Sequence, residues 1–354
     1  MGAKGDDRKL PEGTAERGRS VAYRNVLRVG GKRSSCEQGE CNRGQECESS
    51  TARVERLGCA ALHVGGCLAV LSFFATPQGL WCLYTMARCC YAFLGESVLA
   101  AHPWWAWLLT SSITACGSVG TFIPFAKLYD RRYTRFPGMR CQAEKSHSVT
   151  GFWSRLEVRL TIGNLVVAAA LVSAIGVCHI YMRDTRGQAL DRIYFDKPTN
   201  AGSWFYLLGS TVFFFLWIDL WAYTAHRLLH FPLLYKSTHK VHHTFKQPTA
   251  FSALGLHPFD MLLLQGGIYV GLYVAPLHIA AVTANLLYIH YHNVVDHSGM
   301  YCESWLPWQP SSLYHDDHHR FFHANYGQSL TLWDRLGGTL YTAKKTYNEQ
   351  SFSW

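Results

Sequence analysis

Residues 201–230 read AGSWFYLLGSTVFFFLWIDLWAYTAHRLLH: an uncharged run from Ala201 to Ile218, then Asp219, then His226-Arg-Leu-Leu-His230. At 1.5 Å of rise per residue such a run nearly crosses the roughly 30 Å of bilayer hydrocarbon. It ends on two histidines spaced i, i+4, which share one face of a helix. A helix built for lipid that delivers a pair of imidazoles at its end sets the reading of the rest of the chain.

Two further clusters follow, His239-Lys-Val-His242-His243 and His315-Asp-Asp-His318-His319, and fourteen of the eighteen histidines fall between His226 and His323. Neutral imidazole is the commonest metal ligand. The i, i+3, i+4 spacing is read as placing each cluster on one helical face, so that eight donors point the same way. A structural zinc takes four ligands, and eight donors therefore imply two metals. A His-rich sorption tract is the alternative, but such tracts are repetitive and lack an apolar scaffold.

The scaffold is apolar: 49% of the 354 residues are hydrophobic and only 16% charged, against a usual quarter. Charge-free stretches run from Gly58 to Ala87, Ser97 to Ala126, Leu160 to Tyr181 and Ala201 to Ile218. A fifth, Met261 to Val295, is too long for one span and carries Pro276 near its middle, where a helix kinks or stops; it is predicted to be a hairpin of two short helices. The expected fold is an all-α integral membrane protein, a multi-span helical bundle with a cytosolic, histidine-rich cap for two metals. Lys127, Arg131, Arg132, Arg135, Arg140, Lys145, Arg155 and Arg159 outnumber Asp130, Glu144 and Glu157 in one loop, which the positive-inside rule places in the cytosol. The N-terminus and His226 then lie on that side, and a hairpin at 261–295 returns the third cluster to it. The net charge of +9 suits a face against anionic lipid; no nucleic-acid-binding motif accompanies it.

The predicted divisions are a polar, disordered tail (1–57), transmembrane helices with the basic loop (58–200), a catalytic domain (201–345) and a C-terminal tail (346–354). Cys36, Cys41 and Cys47 lack the pairing of a zinc site, and cysteines such as Cys116 and Cys178 in apolar stretches act as small hydrophobes. The one Glu-x-x-His pair, Glu144-Lys-Ser-His147, falls short of the set a carboxylate-bridged di-iron bundle needs. Two redox metals beside a hydrophobic substrate point to oxygen chemistry on unactivated C–H bonds; zinc would support metal-assisted hydrolysis instead.

The clusters, in the order HxxxH, HxxHH, HxxHH, resemble the integral-membrane fatty acid hydroxylase and sterol desaturase superfamily over roughly residues 204–341. The motifs are Tyr235-Lys-Ser-Thr-His-Lys-Val-His-His243, His257-Pro-Phe-Asp260, His315-Asp-Asp-His-His-Arg-Phe-Phe-His-Ala-Asn-Tyr-Gly-Gln328 and Thr331-Leu-Trp-Asp-Arg-Leu-Gly-Gly-Thr339. Within it the last two strings, with Pro276-Leu-His278, look most like sterol C5-desaturases; methylsterol monooxygenases and lipid hydroxylases are the nearest rivals, and a non-catalytic sterol or metal binder is a third reading.

The resemblance implies two iron ions, O2, electrons from NADH through cytochrome b5 and its reductase, a sterol substrate, and residence in the endoplasmic reticulum membrane. It implies His226, His230, His239, His242, His243, His315, His318 and His319 as ligands, joined by His297. Asn293, one turn before His297, would hold a metal-bound water, with His292 a weaker candidate. Asp316 and Asp317 either orient imidazole N–H groups or form a solvated pair. His257 is read as structural or substrate-lining, and His323 and Asn325 as pocket entrance or turn. Trp333, Asp334 and Arg335 are expected to tie the C-terminal cap together. Many members read HRxxHH at the first cluster, whereas Phe231 stands at that last position here, so the centre is expected to have one donor fewer if relatives use it.

Overall fold

The structure, a computed structural model, describes residues 103–142, 155–186, 192–194, 196–304, 306 and 308–341. The stretch 58–87, Glu144–His147 and both predicted tails lie outside the described residues. The chain divides into two units, Met1–Glu48 with Thr342–Thr346 and Ser49–Tyr341 with Tyr347–Trp354; every described residue belongs to the second.

Helices α1 (Pro103–Arg135) and α2 (Leu156–Arg186) pack antiparallel. At one end the Trp107 indole N–H donates to Ala170 O at 2.9 Å; at the other Arg155 pairs with Asp130 at 2.9 Å and Glu157 at 2.7 Å. Arg155, counted as loop charge from sequence, is thus buried in an ion cluster. The short strand β1 (Ile193–Tyr194) precedes α3 (Ala201–Leu229). Asn200 caps α3: its side chain accepts from Ser203 N at 2.9 Å while its own N–H donates to Ser203 Oγ at 3.1 Å, a reciprocal capping box.

After α4 (Pro232–Ser237) comes the expected hairpin, α5 (Pro258–Val274) and α6 (Ile279–Asp296), broken around Pro276. The break holds β2 (Leu277–His278), which pairs in parallel with β1, so the fold is not purely helical. Helix α5 lies against α3 so closely that a Cβ at Gly267 would meet Trp221 at 2.3 Å and one at Gly271 would meet Phe214 at 2.7 Å. Trp217 and Trp221 fix this contact through indole N–H bonds to Gly267 O (2.8 Å) and Leu263 O (2.9 Å). Two short helices, α7 (Leu313–Phe321) and α8 (Leu332–Leu336), complete the described chain.

Trp104–Arg135, Leu156–Cys178 and Ala201–Leu229 are long and apolar enough to cross a membrane, and Pro258–Val274 is a shorter apolar helix. Leu108, Ile113, Leu208 and Val212 are exposed on them, as lipid-facing positions would be. Contacts sort the helix ends into two sets. Tyr206 bonds Pro276 O at the end of the bundle where α3 begins. At the opposite end, Cys141 N donates to Gly299 O at 2.9 Å just past α6, Thr161 of α2 bonds Phe251 O, and Asn164 bonds Leu254 O at 2.8 Å. The end of α3, the start of α5 and the end of α6 meet there, and so do the histidines.

Candidate metal centre

Four structural pieces deliver the imidazoles. His226 lies in the last turn of α3 and His230 caps it. His239, His242 and His243 sit on a 3-10 helix, His239–Thr244, rather than the α-helix their spacing predicted. His297 caps α6, and α7 carries His315, His318 and His319. All nine are buried.

They form two groups. His226, His230, His239, His243 and His318 make one, His242, His297, His315 and His319 the other, and within each group one ligand atom per residue lies within 4.8 Å of all the rest. The doublets His242-His243 and His318-His319 are each split between the groups, because adjacent residues of a helix point about 100–120° apart. The donors therefore converge on two points and do not all point one way. Phe231 is exposed and belongs to neither group, whereas His230 is inside one.

Hydrogen bonds set several tautomers. Nδ1 donates to Tyr326 O in His226 (2.9 Å), to Ala324 O in His318 (2.7 Å) and to Asn293 O in His297 (2.8 Å), and His239 Nδ1 faces Asp260 Oδ2 at 3.1 Å. A ring that donates from Nδ1 presents a bare lone pair on Nε2, the form a metal needs. Those atoms converge: His243 Nε2 is 3.1 Å from His230 Nε2 and 3.2 Å from His318 Nε2, and His297 Nε2 is 3.0 Å from His315 Nε2. Burial pushes the His239, His243, His315, His318 and His319 imidazoles well below their usual range and His297 to about 4, so they are neutral at pH 7. Both ring nitrogens of His319, Nε2 of His239 and Nδ1 of His230 are buried without a hydrogen-bond partner. Each such atom costs about 1–3 kcal/mol, and packed lone pairs repel. A shared cation at each point removes both penalties, so the residues present fit a pair of metal ions.

Two buried carboxylates brace the centre from behind. Asp334 accepts from Tyr326 N at 2.9 Å, Gly327 N at 2.6 Å, Thr339 Oγ1 at 2.7 Å and the Tyr314 hydroxyl. Asp219 accepts from Ser329 N at 2.7 Å and Trp333 Nε1 at 2.8 Å. Trp333 and Asp334 thus tie the cap together, while the Arg335 guanidinium bonds only Thr331 in its own helix among the contacts described.

A pocket open on one side reaches both groups. His226, His239, His242, His297 and His315 line it beside Ile218, Leu254, Leu264, Ile268 and Ile289. Asn293 lines it as well, with its Oδ1 accepting from Gln328 Nε2 at 2.8 Å. His292 is instead directed to Asp296 (3.3 Å) and Gln309 (3.4 Å), outside both groups. His257 caps α5 through Phe259 N, and His323 is in neither group. Asp316 and Asp317 are buried, which removes the solvated-pair alternative; Asp316 accepts from Gln142 Nε2 at 3.2 Å. Asn325 takes a left-handed turn at φ 58 and bonds Tyr314 O and Tyr341 N, the turn role. Sequence reading did not single out Asp260, Asp219 as a brace, or Gln265 on the pocket wall. The signal for each was a polar side chain inside or at the edge of an apolar run.

Residues 211–339 match the fatty acid hydroxylase family model. Lathosterol oxidase of Mus musculus is 34% identical over 162 residues, 45% of this chain and 54% of that protein. Lathosterol oxidase of Homo sapiens is 32% identical over 185 residues, 52% and 61% respectively. Delta(7)-sterol 5(6)-desaturase of Leptosphaeria maculans is 34% identical over 159 residues, 45% and 44%. The chain spans about half the length of the curated relatives it matches. No solved structure matches it. The matched region ends at Thr339, a bonding partner of Asp334, and so takes in every histidine of the two groups. Over this region the chain resembles the fatty acid hydroxylase and sterol desaturase superfamily and, within it, the sterol C5-desaturases.

Proposed function

We propose that the chain is a membrane-bound, O2-dependent sterol C5-desaturase that introduces a double bond into a lathosterol-like sterol. The observation that carries this reading is the convergence of nine buried histidines on two points at the wall of one largely apolar pocket. His226, His230, His239, His243 and His318 would hold one iron and His242, His297, His315 and His319 the other. Bound there, the irons supply the one-electron oxidising chemistry with O2 that unactivated C–H bonds require and that side-chain acids and bases do not.

The chain's own residues do the rest. Ile218, Leu254, Leu264, Ile268 and Ile289 take the hydrocarbon of the substrate out of water, and the carbonyls of Tyr326, Ala324 and Asn293 hold His226, His318 and His297 in their ligating tautomers. Removal of two hydrogens, from C5 and C6, gives the alkene, with O2 reduced to water by those two hydrogens, two electrons and two protons. The electrons come from NADH through cytochrome b5 and its reductase, and the basic residues at the end of α1, Arg131, Arg132 and Arg135, offer a cytosolic dock for an acidic donor. Residence in the endoplasmic reticulum membrane with the histidines facing the cytosol accompanies that electron supply.

A second reading, hydroxylation of a methylsterol or acyl chain, is favoured by the family model being that of a fatty acid hydroxylase. Expression in yeast that lacks its own C5-desaturase separates the two. Sterol profiles should show new Δ5,7-dienes; a good membrane yield of the protein with no diene overturns the desaturase reading in favour of hydroxylation.

A further inference from the structure

Helix α5 divides its surface three ways. Gly267 and Gly271 face the aromatic side chains of α3; Leu262, Val270, Tyr273 and Val274 are exposed; Leu264, Gln265 and Ile268 line the pocket. Ile268 is four residues from Leu264 and three from Gln265, so it lies beside both on one stripe. From Met261 to Gly271 the only polar side chains are Gln265 and Tyr269, so the stripe on the pocket wall has one carboxamide in an otherwise hydrocarbon surface.

Nothing in the fold uses that carboxamide. Gln265 makes no side-chain hydrogen bond to another described residue. Gln265 is half-buried on that wall, where its amide is open to a ligand in the pocket, and polar groups on apolar helices that line cavities mark the path of a substrate. Gln328 and Asn293, also on the lining, bond each other at 2.8 Å, which leaves Gln328 Oε1 and the Asn293 amide hydrogens without a side-chain hydrogen bond among the described residues. The described lining includes no Lys or Arg. A carboxylate brought into this pocket would be buried unpaired, at a cost far above that of a hydroxyl. The pocket suits a neutral hydrophobic alcohol, not a free fatty acid.

The position of Gln265 sets the register. Asp260 reaches the centre by bonding His239, and Gln265 is five residues further along the same helix, about 7 Å at 1.5 Å per residue. Gln265 lines the same pocket as His226, His239 and His242, so a hydroxyl held by its carboxamide would set how far the ring lies from those imidazoles. In a 3-hydroxysterol the oxygen and C5 are three bonds apart, so an anchor at the hydroxyl would fix where C5 lies.

We propose that Gln265 is the anchor for the substrate hydroxyl and that it decides which ring carbon faces the histidines. The proposal rests on the sterol reading above and adds to it a specificity-determining residue. The test is anaerobic equilibrium binding to the full chain in lipid nanodiscs, with lathosterol and its 3-deoxy analogue as probes. The wild type should prefer lathosterol about tenfold, or about 1.4 kcal/mol. In Gln265→Leu the two should bind within about twofold, a range of well under 1 kcal/mol, with the 3-deoxy sterol still bound, which shows an intact pocket. Should that variant bind neither probe, Gln265→Met keeps the length, removes only the amide and decides the matter by the same ratio. A variant that keeps the full preference overturns the anchor, and so does a wild type that binds both sterols alike; in either case dienes formed in yeast would leave the desaturase reading standing. A wild type that binds neither sterol overturns both.

Discussion

The two histidine groups are built to different standards of support. In the five-histidine group, His226, His239 and His318 are oriented by Tyr326 O, Asp260 and Ala324 O. The two carbonyls belong to a segment that Asp334 and Asp219 pin with buried hydrogen bonds. In the four-histidine group, His297 is oriented by Asn293 O one turn back on its own helix, and His319 has neither nitrogen bonded. Three of the five rings in the first group are oriented by the fold before any ion arrives, whereas the second group leans more on the ion itself. A smaller donor set would leave an iron held there more open coordination positions, so on the proposed function the less supported group would be the one that takes O2. Rigidity on one side and access on the other is a sensible division for a two-metal site.

The largest break in that comparison comes from two adjacent residues. His242 and His243 are sequence neighbours that serve different groups, so His242→Ala and His243→Ala each remove one donor while disturbing the same short helix. Both should lower diene formation at least about a hundredfold, since removing even an outer partner of a metal ligand costs 10–100-fold. Iron per chain separates them: after challenge with a chelator, His242→Ala should retain the iron of the supported group and His243→Ala should retain almost none. Equal retention would mean that the hydrogen bonds behind the rings do not set metal affinity here.

Asp260→Asn sharpens the comparison without touching a ligand. The carboxylate accepts from His239 Nδ1, and an amide in its place can present an N–H and favour the other tautomer. Loss of such a partner lowers metal affinity about 10–100-fold. Cobalt titration followed by absorbance should show one weakened and one unchanged site. Weakening of both would show that the groups are coupled through the 3-10 helix they share.

Much of this arrangement can be read along the chain, and the unread part has a common cause. The spans and the hairpin follow from hydropathy and Pro276, and every histidine of the two groups lies in a recognisable cluster except His297. Spacing within a cluster reports which face a side chain takes, but not that adjacent histidines serve separate points, because that depends on where α6 and α7 arrive. Asp219 and Asp334 act across 110 and 8 residues respectively, and Asp260 reaches back to His239 over 21. Partners at such separations carry no local period to detect. The second histidine box also shows the limit of pattern: its i, i+3, i+4 spacing fits an α-helix, yet the chain after α4 winds it as 3-10.

The smallest expected effect tests whether support reaches the centre from a distance. Asp219, on α3, accepts from Ser329 N and Trp333 Nε1. Asp219→Asn keeps the size of the side chain but sets an amide N–H against one of these two donors, at a cost of about 1–3 kcal/mol. Ser329 follows the Ala324–Tyr326 carbonyls that hold His318 and His226, so the loosened segment should speed metal loss from the five-histidine group a few-fold and leave the other group unchanged. Among the described residues the four-histidine rings make no hydrogen bond to that segment, and His297 keeps Asn293 O whatever happens there. Metal release followed by stopped flow gives both rates in one experiment. A faster loss from the four-histidine group would place the cap behind the wrong site and reverse the assignment of the supported side.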